Sequence, residues 1–266
     1  MMRIIKEIPV LLYHNVGNYP KVLMEDGLLP ETFRQQMKFF SENNYNIVTL
    51  DQALGHLAGR DKLPPKSLAL TIDGGYRDAY TDVFPVLKTH NFHATFFIMP
   101  ECIGGERKIK GTSIPCLNWD EVNEIAESGM EIGLLAYESR GIKGRYDEDS
   151  VKQSIFNSLK IMKENYNGDV RFCAFLAGVP KKPLWDFLKT RKFQAVFTQC
   201  PTNQRSSLSG IGRIQIDDDD HNIFLAKISK IYLFFKDKRS WKYIRKYKVD
   251  RLAHRISETV NAIRGE

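Results

Sequence analysis

The carboxylate best placed for chemistry is Asp73. It ends the apolar run Ser67-Leu-Ala-Leu-Thr-Ile and is followed by Gly74, Gly75 and Tyr76. A buried strand that stops in this way delivers an acid to the mouth of a site. There Asp73 can act as a base, or its side chain can cap the Gly74-Gly75 turn. His14 closes another short apolar run and is read either as a site group or as a histidine packed on loops. A metal site built from Asp73, His14 and Glu138, with Asp78 as a further candidate, is conceivable, although nothing in the spacing requires it.

These residues need a scaffold that brings strand ends together. Short apolar runs alternate with amphipathic stretches along the chain, the signature of βα repeats and a parallel sheet. Strands are expected over 10–14, 46–50, 67–73, 93–99, 131–137, 170–176, 195–198 and 213–217. Helices are expected over 30–40, where Phe33, Met37 and Phe40 recur at helical spacing, and over 52–57, capped by Asp51. Others are expected over 78–90, with Pro85 as a kink or first-turn residue, over 118–128 with Gly129 as its stop, and over 149–166. Seven or eight strands with intervening helices predict an α/β fold: a single distorted (β/α) barrel of about seven parallel strands.

The chain has 266 residues, 42% hydrophobic and 27% charged, an ordinary globular composition that one barrel accommodates. The apolar run from Ile8 to Tyr13 is too short for a signal-peptide core, and no stretch approaches the roughly 20 apolar residues of a membrane span. Cys102, Cys116, Cys173 and Cys200 form no Cys-x-x-Cys pair and read as buried free thiols, so a cytoplasmic location is expected. The net charge of +7 is uneven: from His221 onward 12 Lys and Arg face 4 Asp and Glu. Two units follow, a barrel over 1–220 and a basic helical extension over 221–266. Aromatics interleaved with Lys and Arg over 236–248 suit an anionic membrane surface or a lipid-linked sugar phosphate; the bland alternative is a helix with a solvated basic face. No nucleic-acid recognition fold is evident, and nucleic acid is not expected as a partner.

The Asp73 motif resembles the first motif of the polysaccharide deacetylases, the NodB-type family 4 carbohydrate esterases, which reads Thr-Phe-Asp-Asp-Gly-Tyr. Further resemblance covers roughly 8–217. It includes Pro9-Val-Leu-Leu-Tyr-His-Asn-Val, Asp82-Val-Phe-Pro-Val-Leu-Lys88 followed by Ala94-Thr-Phe-Phe-Ile98, and Trp119-Asp-Glu-Val with Ser128-Gly-Met-Glu-Ile-Gly133. The resemblance implies a barrel of seven or so strands, Asp73 as catalytic base, and a divalent metal such as zinc. That metal would be held by a second Asp and by two His in a Gly-x-His-Ser/Thr-x-x-His motif. At the three ligand positions this chain has Gly74, Leu135 and Ser139. Glycine and leucine cannot ligate a metal, and a lone serine is a poor ligand. No metal cofactor is therefore expected.

The third motif, Ala-Tyr-Pro-Tyr-Gly, is thinned here to Ala174-Phe-Leu-Ala-Gly178. Leu252-Ala-His254 matches the letters of the fifth, yet Val249, Leu252, Ile256 and Val260 recur as one helix face. Tyr76 and Tyr137 could stack on a sugar ring, as could core packing explain them. Together with His14 they are the candidate substrate-binding residues. The expected function is a deacetylase-like protein that lacks metal-dependent N-deacetylation and retains binding of a carbohydrate, a lipid-linked glycan or a partner. Two alternatives are an active carbohydrate amidase with atypical ligands or no metal, and a non-enzymatic scaffold at a membrane surface.

Overall fold

The computed structural model describes residues 8–19, 27–109, 111–136, 147–176, 179–199, 208–217 and 221–229. Its strands are β1 Val10–Tyr13, β2 Asn46–Ile47, β3 Ser67–Gly74, β4 Thr95–Ile98, β5 Glu106–Ile109, β6 Thr112–Pro115, β7 Glu131–Ala136, β8 Phe172–Phe175, β9 Ala195–Thr198, β10 Ile211–Gly212 and β11 Ile214–Gln215. The α-helices are α1 Pro30–Glu42, α2 Leu50–Leu57, α3 Phe84–His90, α4 Trp119–Glu127, α5 Glu148–Asn165, α6 Lys182–Thr190 and α7 His221–Ile228. The main sheet runs β10-β9-β8-β7-β4-β3-β1-β11, with β2 beside β3. All its described pairings are parallel; only β5 and β6 form an antiparallel hairpin.

The two ends of the sheet are consecutive in sequence. Arg213 separates β10, which pairs with β9, from β11, which pairs with β1. Of the expected strand over 213–217 only 214–215 is strand; with 211–212, on the other side of Arg213, it makes the seventh stave of a nearly closed α/β barrel.

Strand alternation sorts the apolar residues into two layers. Leu70, Ile72, Phe96, Ile98, Ile132, Leu134, Cys173 and Val196 face the helices. Ala69, Phe97, Leu135, Phe172, Ala174, Ala195 and Phe197 fill the barrel interior. The strands read as continuous apolar runs because both faces are buried.

Several expectations are corrected in detail. The strand at 46–50 stops at Ile47, because Thr49 caps α2 in a reciprocal capping box with Gln52. Asp51 lies in the first turn of α2 instead and pairs with Arg171, whose second amino group reaches Glu131 at 2.9 Å. That cluster clamps α2, β7 and β8 at the base of the barrel. Before α3 the chain makes a π-helical turn, Ala79–Val83, and Pro85 stands in the first turn of α3, where a missing N–H costs nothing. The hairpin of β5 and β6 has no counterpart in the apolar pattern, since its exposed faces carry charged and small residues. At the C-terminal end, α7 packs on α1 through Phe224, whose ring lies 5.9 Å from Phe39 and 5.5 Å from Phe40. The basic segment 236–248 and the Leu252-Ala-His254 triplet lie outside the described residues.

Candidate functional site

Asp73 stands near the C-terminal end of β3, pointing into the barrel, where βα-type barrels gather chemistry. Its surroundings are set by the barrel seam. Because β10 and β11 meet at Arg213, the guanidinium enters the interior and grips the carboxylate with both arms. Nη1 donates to Oδ1 at 2.6 Å and Nη2 donates to Oδ2 at 2.7 Å. Nη1 also lies 3.3 Å from the Thr71 hydroxyl, and the guanidinium stacks over Phe97 at 5.2 Å. Asp73 and Arg213 are each 1% exposed. A planar fork matched to a carboxylate in this way fixes both charge and orientation. The carboxylate is engaged by Arg213 and does not cap the glycine turn.

The sequence reading does not single out Arg213 as a site residue, although a signal is present. It is a single charge inside the apolar run Gly210-Ile-Gly-Arg-Ile-Gln-Ile, and a charge buried in a strand demands a partner. Asp73, the acid at the end of another apolar strand, is the obvious one.

Of the three metal-ligand positions that the resemblance implies, Gly74 and Leu135 are described. Gly74 has φ +118°, and a Cβ there would lie 2.3 Å from the Tyr76 ring. The space a second aspartate would need is taken by that ring. Leu135 lies within the interior apolar layer with Phe97, Ala174 and Phe197. Gly133 is level with Phe97 across the sheet, and the Phe97 ring occupies the space beside it. Ser139 lies outside the described residues, as do Tyr137 and Glu138. Gly74 and Leu135 do not fit a divalent metal site. Among the described residues, no group of three or more His, Cys, Asp and Glu side chains is placed to hold an ion.

Of the alternative ligand set, Asp73, His14 and Asp78 form no metal-holding group among the described residues, and Glu138 lies outside them. Asp78 is buried, and its Oδ2 accepts the Val16 N–H at 2.8 Å and the Tyr19 hydroxyl at 3.0 Å. It pins the segment after β1, next to His14, to the turn after β3. His14 itself is half-buried at the end of β1. Tyr76 is 5% exposed, with its hydroxyl accepting from Arg107 at 2.8 Å. In the third motif Ala174 faces the interior and Leu176 is half-buried, while Ala177 and Gly178 lie outside the described residues.

Burial pushes the Asp78 carboxyl up from 3.8 to about 6, against the pull of hydrogen bonds from Tyr19 and from the Val16 and Ala79 backbone. The folded state therefore holds a proton that the unfolded chain has already released. Stability is greater below the unfolded value and falls as pH rises from 3.8 to about 6. The loss is up to ~1.4 kcal/mol per pH unit at steepest. Urea denaturation across that window should show this slope in the native protein and a shallower one in Asp78→Asn. Equal slopes would remove Asp78 as the cause.

Clefts also open away from Asp73. One of about 440 Å³, lined by Tyr166, Arg171, Arg191 and Lys192, opens where β8 begins, at the opposite end of the barrel from Asp73. That end of a parallel barrel serves stability more than chemistry.

Comparison with known proteins bears on the same segment. The family model described as polysaccharide deacetylase matches residues 60–197, just over half of the chain. YxkH of Bacillus subtilis is 30% identical over 128 residues, which cover 47% of this chain and 41% of that protein. The Escherichia coli poly-beta-1,6-N-acetyl-D-glucosamine N-deacetylase is 27% identical over 125 residues, covering 44% of this chain and 19% of that protein. The matches thus span less than half the length of these curated relatives. The solved structure of IcaB from Ammonifex degensii superposes with a TM-score of 0.70 at 25% identity, over 83% of this chain and 96% of that one. With the family model spanning β3 through β9 and the barrel shared with IcaB, the chain belongs to the polysaccharide deacetylase family.

Proposed function

We propose that this chain is a deacetylase-fold protein that binds carbohydrate without performing the family's metal-dependent N-deacetylation. The observation that carries the reading is the Tyr76 ring in the space a metal-binding side chain at position 74 would need. Leu135 among apolar neighbours supports it from the other wall. Asp73, the position of the family's base, is kept but held by Arg213. In this reading Asp73 and Arg213 shape the floor of the site, His14 lines its mouth as a carbohydrate contact, and the buried Tyr76 ring forms the wall behind it. A polymer of β-1,6-linked N-acetylglucosamine, the substrate class named for the Escherichia coli relative, is the first ligand to examine.

Titration calorimetry with such an oligomer should give binding that survives a chelator. Loss of an aromatic wall in Tyr76→Ala should weaken it about tenfold, ~1.4 kcal/mol, with a smaller effect from His14→Ala. Absence of binding, or binding abolished by chelation, would overturn the reading. An active enzyme without the family's ligands is the second reading, favoured by the retention of Asp73. Release of acetate that persists in chelator and disappears in Asp73→Asn, with circular dichroism showing that variant folded, would establish it.

A further inference from the structure

The hairpin of β5 and β6 lies over the site and carries chemistry the proposed carbohydrate role does not use. Cys102 ends the 3-10 turn Pro100–Cys102 that follows β4, and Cys116 directly follows β6. The chain between them folds back on itself. The Gly104 N–H donates to the Leu117 carbonyl at 2.7 Å, and the Cys116 N–H donates to the Gly105 carbonyl at 2.9 Å. These bonds hold the two cysteines together at the base of the hairpin. Both sulfurs belong to one small cluster with Tyr76 and Ile114. Tyr76 and Cys116 form an antiparallel bridge, and the Leu117 N–H donates to the Gly75 carbonyl at 2.9 Å. The thiol pair is therefore joined by backbone to the Asp73-Gly74-Gly75-Tyr76 turn.

We propose that Cys102 and Cys116 are a redox-active thiol pair, converted to an intramolecular disulfide by low-molecular-weight disulfides, which latches the hairpin and Tyr76 over the turn that carries Asp73. The two sulfurs have different roles. Cys102 is partly exposed, and the thiol hydrogen bond from Cys116, with the Arg107 cation second, draws its ionisation down to about 7. Cys116 is buried and pushed upward, chiefly by donating that bond and by burial. Cys102 thiolate attacks one sulfur of oxidised glutathione, forming a mixed disulfide and expelling a glutathione thiolate. The Cys116 thiol then loses its proton and attacks the Cys102 sulfur, expelling the second thiolate. Two protein thiols are oxidised, one disulfide reagent is reduced to two thiols, and the two protein protons pass to solvent or to the leaving thiolates. Two thiols packed in one cluster reach bonding distance by side-chain rotation, once Cα and Cβ separations fall in the range a disulfide requires.

The test uses the full chain in glutathione buffers of increasing oxidised fraction, followed by rapid alkylation of free thiols and peptide mapping. The expected product is a Cys102–Cys116 crosslink, reversed by excess reduced glutathione. In the fully reduced protein at neutral pH, Cys102 should alkylate about tenfold faster than an ordinary thiol, as its larger thiolate fraction dictates. Cys116→Ser should instead stop at a mixed disulfide on Cys102, and Cys173→Ser should leave the crosslink intact. Hydrogen exchange over 102–117 should slow on oxidation. The proposal is overturned if both thiols of the native protein stay alkylatable in excess oxidised glutathione, or if the recovered crosslink involves Cys173 or Cys200. These readouts on native protein stand whether or not a variant folds and whether or not a glycan binds.

Discussion

Removing either member of the Asp73–Arg213 pair should destabilise the barrel by about 3–5 kcal/mol, because the remaining charge is left buried with no counter-ion. Asp73→Ala and Arg213→Met are the single variants to compare. Both side chains are fully enclosed, and each carboxylate oxygen has its own guanidinium donor. The double variant should be far less damaged than the sum of the singles, since an apolar pair needs no partner. A coupling above ~2 kcal/mol in a urea-denaturation cycle is the expected result. The position of Arg213 adds a second consequence. It is the residue at which the chain passes from the β9 edge of the sheet to the β1 edge, so the ion pair also fixes barrel closure. Single-variant costs below ~1 kcal/mol, typical of an exposed ion pair, would contradict the enclosed geometry.

The second large effect concerns Gly74. Restoring the family's aspartate there should not rebuild a metal site, because the obstacle is the backbone and the Tyr76 ring. At φ +118° any side chain is strained, at a cost of roughly 1–3 kcal/mol. The Cβ would also overlap the ring, 2.3 Å from its nearest atom. Gly74→Ala should therefore cost nearly as much as Gly74→Asp. Tyr76→Ala should relieve the overlap but not the torsional strain, so Gly74→Ala should cost less in that background. Thermal denaturation of the four proteins of the cycle measures this. A stable Gly74→Asp variant that takes up zinc with Tyr76 intact would overturn the account of why the site is closed. Restoring Gly74→Asp, Leu135→His and Ser139→His together meets a further barrier, since Leu135→His buries an imidazole among phenylalanines.

Much of this was legible in the chain because parallel barrels write their strands plainly. Runs buried on both faces stand out, as at 67–73 and 195–198, and α5 follows from the spacing of Val151, Ile155 and Met162. The Asp73 motif, and Gly74, Leu135 and Ser139 at the ligand positions, are legible as residue types. What was not legible depended on contacts across the fold. Arg213 gains its meaning only when the seam of the barrel sets it opposite Asp73, 140 positions earlier in the chain. Asp51 read locally as a helix cap, but Thr49 takes that role and Asp51 is claimed by Arg171. The hairpin of β5 and β6 is short and polar and carries no hydrophobic period, so the approach of Cys102 to Cys116 was hidden with it. Tyr76 read as a ring that could stack on a sugar; its place against Gly74 depends on a positive φ that only glycine allows freely.

We propose that the family's fold and base position persist here without its metal chemistry. Elemental analysis of the purified full chain, paired with acetate release from poly-β-1,6-N-acetylglucosamine in the presence of added zinc or cobalt, tests this most directly. The account predicts substoichiometric metal and no acetate above the protein-free control. Stoichiometric metal, with acetate release that a chelator abolishes and added metal restores, would contradict it.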